Sequence, residues 1–152
     1  MPRNPVWKVA ASVVALALLS LAATAVSAAV TVVTPAGTKV SLKFMDTVDT
    51  ATIQKGEPVH FHVAADVLVD GRVVIKRSTP VTGTVNQVGH QSVLNAGFAN
   101  ITNLAVMTVD LRHVPLKDVR VSAKIFGGNK RVHEGAVVTT DTTRDVTIIA
   151  RY

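Results

Sequence analysis

The feature that most constrains this chain is an alternation of polar and apolar residues with a period of two, which recurs after residue 29. Four segments show this alternation: Lys39–Phe44, Val59–Val69, Val81–Val85 and Asp118–Ile125. Because successive side chains of a strand point to opposite faces, each segment can bury one face of a sheet. The segments after residue 29 show no comparable helical spacing of apolar residues. The pattern predicts an all-β fold.

Turn signals separate these segments. Asp70-Gly71 stands between the apolar runs Val67–Val69 and Arg72–Lys76, and it favours a type I′ hairpin turn, which needs positive φ at both central residues. Pro80 is predicted to end the second run because proline cannot donate to a ladder. Residues 97–109 are predicted to form one strand or a pair of strands, and residues 145–149 are predicted to form the last strand. Residues 90–97 are expected to hold one short turn at most.

At least seven short strands with turns between them indicate a single-domain β-barrel or β-sandwich over residues 29–152. No linker, low-complexity tract or internal repeat divides this region. The chain has no cysteine, so disulfides, thiolate metal sites and cysteine nucleophiles are excluded. The apolar core alone must therefore stabilise the domain.

The first 28 residues have the pattern of a secretory signal peptide, and a signal helix is therefore predicted ahead of the β-domain. Arg3 and Lys8 precede the apolar run Val9–Leu19, and small residues follow up to Ala28. We expect cleavage between Ala28 and Ala29. The alternative is a retained anchor, because apolar and small residues continue far enough to span roughly 30 Å of hydrocarbon. Both the cleaved signal peptide and the retained anchor predict export to the periplasm or to the cell surface. Only the retained anchor predicts attachment to the membrane.

Charge and aromatic content narrow the function classes. Loss of Arg3 and Lys8 with the leader would lower the formal charge from +6 to +4, and the remaining basic residues are scattered singly. This distribution argues against a nucleic-acid partner. The only tryptophan, Trp7, would leave with the leader, and Tyr152 is the last residue. Stacking of a carbohydrate on exposed aromatic rings therefore has little support.

Residues 35–85 resemble the C-terminal β-barrel domain of the type IV secretion and conjugal-transfer bridging proteins, and small exported proteins that share that barrel. The resemblance depends on Pro35–Thr38 before a strand, the Asp46–Thr52 segment, Lys55–Val59, and the order of Ala65–Val67, Val69–Gly71, Val73–Ile75 and Thr79–Val85. It implies a barrel or sandwich. Arg77-Ser78 replaces the usual Lys-Gly, and Asp110-Leu111 stands where Asp-Gly is expected. The proline-rich stalk and the long membrane insertion are not present, so the family's channel-forming role is not carried over.

His60 and His62 are the weak candidates for metal ligands. Two residues apart on a predicted strand, both imidazoles would project from one face, but a zinc site needs further ligands. His90, His113 and His133 have no helpful spacing. The favoured interpretation is that Val59, Phe61 and Val63 face the core while the histidines face water. No metal and no other cofactor is predicted.

Other chemistry has weaker signals. No G-x-S-x-G nucleophile elbow is present. Asp46 and Asp49 could be imagined as paired carboxylates of a glycoside hydrolase, but strand-end residues that accept turn hydrogen bonds are favoured. Gly127–Lys130 is interpreted as a loop, because no helix follows it to make an anion site. No catalytic residue is predicted, and the chain is not expected to be an enzyme.

The segment that follows the predicted cleavage site could pair with another chain. Val30, Val32 and Val33 belong to an uncharged, β-prone run that could add to an exposed edge strand of a neighbouring subunit. The alternative is that this run forms the first strand of its own domain or stays a frayed tether.

These observations together predict an exported, non-enzymatic β-domain that works as a binding or assembly module of the cell envelope. Its expected partner is an envelope protein or a second copy of itself. The alternatives are a small metal-dependent hydrolase that uses His60 and His62, and a self-assembling surface or filament subunit.

Overall fold

The computed structural model describes residues 28–89, 97–122 and 131–150, and these residues are all-β. The leader up to residue 27, residues 90–96 of the predicted turn, and the Gly127–Lys130 loop lie outside them. The strands are β1 Val30–Thr34, β2 Lys39–Phe44, β3 Val48–Asp49, β4 Pro58–Val63, β5 Val67–Val69, β6 Arg72–Ile75, β7 Pro80–Gly89, β8 Phe98–Met107, β9 His113–Pro115, β10 Val119–Ser122, β11 Arg131–Val132, β12 Val137–Asp141 and β13 Val146–Ala150. Within these ranges no helix has the length and apolar character of a membrane span.

The largest sheet has seven antiparallel strands and curls into half a barrel. Its order is β10-β8-β7-β4-β2-β12, and β9 also pairs with β8. Three two-stranded ribbons complete the described part of the fold: β1-β13, β3-β11 and β5-β6. β1 and β13 come from opposite ends of the described chain, so closing this ribbon requires a long-range contact.

One hydrophobic core joins the sheet and the ribbons. In β2 the residues alternate between exposed and buried, as predicted, with Val40, Leu42 and Phe44 inside. Val32 of β1 and Ile148 of β13 belong to the same buried cluster. Apolar burial stabilises the fold by about 25 cal/mol per Å², so this shared core holds the ribbons against the curled sheet.

The predicted Asp70-Gly71 hairpin is confirmed. Asp70 has φ of 51° and Gly71 has φ of 74°, so both central residues have the positive φ of a type I′ turn. Val69 is opposite Arg72 in the β5-β6 ribbon, which makes the loop two residues long.

Other strand boundaries differ from the predictions. Pro80 does not end the strand that contains Val73, because β6 already ends at Ile75 and Pro80 is the first residue of β7. A proline is tolerated at a strand start, where its missing N–H interrupts the ladder least. The Val59–Val69 segment is divided into β4 and β5, since Val63 bonds to both Ser78 and Thr79 and the chain then leaves the sheet. The 97–109 segment is one strand, β8.

Candidate functional site

A groove of about 650 Å³ lies where three distant parts of the chain meet. Its walls are the start of β6 after the Asp70-Gly71 turn, the loop between β8 and β9, and the end of β13. Its described lining residues are Gly71, Arg72, Val73, Lys76, Val109, Asp110, Leu111, Arg112, Ile149 and Ala150. A cavity of this size lies within the range of ligand and peptide sites.

Two hydrogen bonds hold the β8-β9 loop against the other walls. The N–H of Val109 donates to the carbonyl oxygen of Val74 at 3.0 Å, which fixes the loop to β6. The N–H of Ile149 donates to Asp110 Oδ2 at 2.9 Å, which fixes it to β13. One main-chain bond and one bond to the Asp110 carboxylate thus join the three walls of the groove.

Thr108 organises the loop from within. Its buried hydroxyl donates to Asp110 Oδ1 at 2.5 Å and accepts the N–H of Arg112 at 3.1 Å. Main-chain bonds from Thr108 to Arg112 and from Leu111 to Thr108 close the turn. Threonine suits this position because a short hydroxyl side chain can satisfy local backbone groups in a tight turn.

Asp110 is the electrostatic centre of the groove. Its side chain is 11% exposed, and Arg112 Nε lies 3.2 Å from Oδ2. Burial by itself would raise the pKa of Asp110, but hydrogen bonds from Thr108 and from the Ile149 N–H, together with the charge of Arg112, bring the pKa below its ordinary value of 3.8. The carboxylate is thus held in its charged form by donors on both sides.

This arrangement predicts a specific dependence of stability on pH. Because the folded-state pKa of Asp110 is lowered, its stabilisation is complete above the ordinary value of 3.8 and is lost as the pH falls through the lower folded-state pKa. We expect Asp110→Asn to lower the free energy of unfolding by about 1–3 kcal/mol near neutral pH, where charge-assisted hydrogen bonds are lost. The difference between wild type and variant should shrink as the pH falls below 3.8.

Urea unfolding across the acidic range measures this effect. Asp118→Asn is the matched control, because Asp118 is an exposed carboxylate outside the groove. A difference between wild type and Asp110→Asn that stays constant with pH would contradict the assignment.

Leu111 has an unusual backbone conformation at the rim of the groove. Its φ is 65°, in the left-handed region that costs a leucine about 1–2 kcal/mol, and its side chain is 75% exposed. Glycine or asparagine would fit the position better. Strain of this kind persists where the surrounding structure or a function maintains it.

The walls of the groove combine positive charge with exposed apolar surface. Arg72, Lys76 and Arg112 bring positive charge to its walls, and Leu111 and Ile149 bring exposed apolar surface. Among the described residues that line it, none is a serine, threonine, cysteine or histidine that could act as a nucleophile or as an imidazole base.

His60 and His62 lie elsewhere, on the outer face of β4. Val59, Phe61 and Val63 are buried, which confirms the predicted orientation of the strand. His60 Nδ1 lies 2.6 Å from Asp46 Oδ2, and the same oxygen accepts the His60 N–H at 3.0 Å. His62 is opposite Lys43 of β2. In the described part of the chain no group of three or more His, Cys, Asp or Glu side chains could hold a metal ion.

Asp46 and Asp49 have separate structural contacts. Asp46 joins the loop after β2 to His60, as above. Asp49 Oδ1 accepts the N–H of Ala51 at 2.9 Å, and its Oδ2 lies 2.8 Å from Arg131 Nε across the β3-β11 ribbon. The predicted role of Asp49 as an acceptor of a turn hydrogen bond is confirmed.

The valine-rich segment forms β1 and pairs with β13 of the same chain. Val32 is opposite Ile148 and is buried, whereas Val33 is 52% exposed. Ala28 and Ala29, at the predicted cleavage site, are exposed directly ahead of this strand. The pairing with β13 uses one edge of β1, so addition of another chain would have to use the other.

The chain matches no protein-family model, and no curated protein is significantly similar to it in sequence. The fold and the groove therefore define its class on their own: an all-β protein with a cation-lined surface groove. The resemblance of residues 35–85 to the bridging proteins stays a prediction.

Sequence reasoning missed the groove as a site. Its walls come from residues 71–76, 109–112 and 149–150, and no local spacing connects them. One signal was present: Asp110-Leu111 stands where the resemblance expects Asp-Gly, and Leu111 indeed has the positive φ that favours glycine. A leucine at a glycine position marked the rim of the groove.

Proposed function

We propose that this protein is an exported, non-enzymatic β-domain that acts as a binding or assembly module of the cell envelope. The observation that carries the proposal is the groove, whose walls combine charged and exposed apolar side chains. Such a combination is typical of recognition surfaces, where apolar contacts supply affinity and charges supply specificity.

Export is supported by the leader pattern and by the exposed position of Ala28 and Ala29 ahead of β1. A peptidase needs an accessible, extended segment, and removal of the leader at this point leaves β1 whole. We propose that residues 29–152 form one barrel-like or sandwich-like domain in the periplasm or at the cell surface, as the curled sheet suggests.

Self-assembly through β1 is the second candidate, and a specific observation favours it. The N–H of Ile149 points away from β1, towards Asp110. Thr31 lies opposite Ile149, so its main-chain groups point to the outer edge of β1. The main-chain groups of Val33, two residues further along, point the same way. No other described strand pairs with that edge. An exposed, uncharged edge of this kind is a template for strand addition.

The test is chemical crosslinking in intact cells that express the full chain, followed by fractionation and mass spectrometry. We expect a mature protein that begins at Ala29, in the periplasmic or surface fraction, crosslinked to another envelope protein. Crosslinked products that contain only this chain would support the second candidate. An intact leader in a soluble cytosolic pool, or a processed protein without any crosslinked partner, would contradict the proposal.

A further inference from the structure

We propose that the groove between β6, the β8-β9 loop and β13 binds an acidic polypeptide segment that carries an apolar residue. The inference rests on the proposed function and names the chemistry of the partner. It is argued from the charge of the groove, from the conformation of Leu111 and from the shape of the site.

The charge of the groove favours an anionic partner. Among its described lining residues, the charged ones are three cations, Arg72, Lys76 and Arg112, and one carboxylate, Asp110. The charge of Asp110 is already satisfied by Thr108, by the Ile149 N–H and by Arg112. The formal charge of these described lining residues is therefore positive, and the Lys76 ammonium can attract a carboxylate of the partner.

Leu111 adds an apolar contact at the same place. Its side chain borders both the groove and a smaller neighbouring hollow that also contains Met107. Ile149, on the wall formed by β13, is 41% exposed. A strained backbone that presents a large apolar side chain to solvent makes sense if a partner covers that side chain. The partner segment should therefore place an apolar residue between Leu111 and Ile149.

The shape and the hydrogen bonding of the site distinguish this partner from two others. A concave groove admits a narrow segment, whereas a flat bilayer would contact only its rim. A strand that extends the β1-β13 ribbon inside the groove would need the main-chain edge of β13, which lines it, but Asp110 already accepts the Ile149 N–H there. Recognition in the groove thus depends on side chains rather than on a shared ladder.

The test uses the protein purified from cells that express the full chain and a fluorescein-labelled peptide made of glutamates with two leucines. We expect saturable binding that weakens with added salt. Lys76→Glu should weaken it about tenfold, because an attraction becomes a repulsion. Lys55→Glu, the same change in an exposed turn outside the groove, should have little effect.

A second pair of variants separates binding from folding. Leu111→Gly removes the side chain and relieves the positive φ, so we expect Tm to rise by about 2–4 °C while the affinity falls about fivefold. Ser78→Gly relieves the same φ of 65° outside the groove, and it should raise Tm without changing the affinity. A structural role of Leu111 alone would give no loss of affinity.

Several results would overturn the inference. One is the absence of saturable binding, and another is equal binding of a peptide that has lysines in place of the glutamates. A third is that Lys55→Glu and Lys76→Glu lower the affinity for the acidic peptide equally. Binding of phosphatidylglycerol vesicles that depends on Leu111, without binding of the peptide, would assign the surface to the membrane instead. If the Lys76→Glu variant is still crosslinked to the envelope partner in intact cells, the assignment of the groove fails and the proposed function stands. If the wild-type protein is crosslinked to no such partner, the proposed function itself fails.

Discussion

Phe61→Ala should lower the free energy of unfolding by about 3–5 kcal/mol, the largest loss expected from a single substitution in this protein. Phe61 is buried on β4, and its ring lies against that of Phe44 on β2, with the centroids 4.6 Å apart and the planes tilted by 53°. Truncation removes the burial of a whole ring, the aromatic contact and the packing around them. Domains of this size have a total stability of about 5–15 kcal/mol, so the variant should retain little of it.

Urea or thermal unfolding, with circular dichroism as the signal, measures this loss. Leu68→Ala is the control, since Leu68 is an exposed apolar residue and its truncation should change stability by less than about 0.5 kcal/mol. Phe61→Leu should give an intermediate loss because it keeps most of the apolar volume. Similar losses from Phe61→Ala and Leu68→Ala would show that the curled sheet is not packed as described.

Gly83→Val should also destabilise the protein strongly, by about 3 kcal/mol. Gly83 is buried on β7, where a Cβ atom would lie 2.4 Å from Ile101 Cγ2 and 2.7 Å from Leu104 Cδ2. Neither distance allows an atom, so the side chains on β8 must move out of their packed positions. Glycine is thus required here by the close approach of β8 rather than by its own φ.

A double-mutant cycle tests this explanation. Leu104→Ala removes one of the two obstructing side chains, so Gly83→Ala should cost less in the Leu104→Ala background than in wild type. We expect an interaction energy of about 1 kcal/mol or more in unfolding experiments. Purely additive effects would mean that the cost at Gly83 comes from the backbone and not from a collision with β8.

The strands that lie on the core were the part of the fold that alternation predicted well. β2 has the boundaries of the Lys39–Phe44 segment, and the Asp70-Gly71 turn has the conformation that its residues require. By contrast, β12 over Val137–Asp141 gave no clear signal, because it is an edge strand with mostly exposed or half-exposed residues. Val138 and Thr140 face the core, but Thr140 is polar, so the inward face of β12 shows no alternation of apolar residues.

The bulge between β7 and β8 was beyond sequence reasoning for a related reason. Thr82 is opposite Ala105 and Thr84 is opposite Thr102, so β8 has one residue more than β7 between these pairs. Asn103 takes up the extra residue with φ of 57°, which asparagine tolerates better than most side chains. A register shift depends on which strands are neighbours, and the sequence does not state this.

The sequence by itself determined that the chain is built from strands and which faces of them are buried, because a period of two is a property of adjacent residues. Only the tertiary structure decided that Gly71, Asp110 and Ile149 share one groove, and that His60 pairs with Asp46. The physical reason is that burial and local turn conformation are encoded over a few residues, whereas a site made of distant segments depends on how the ribbons pack against the curled sheet.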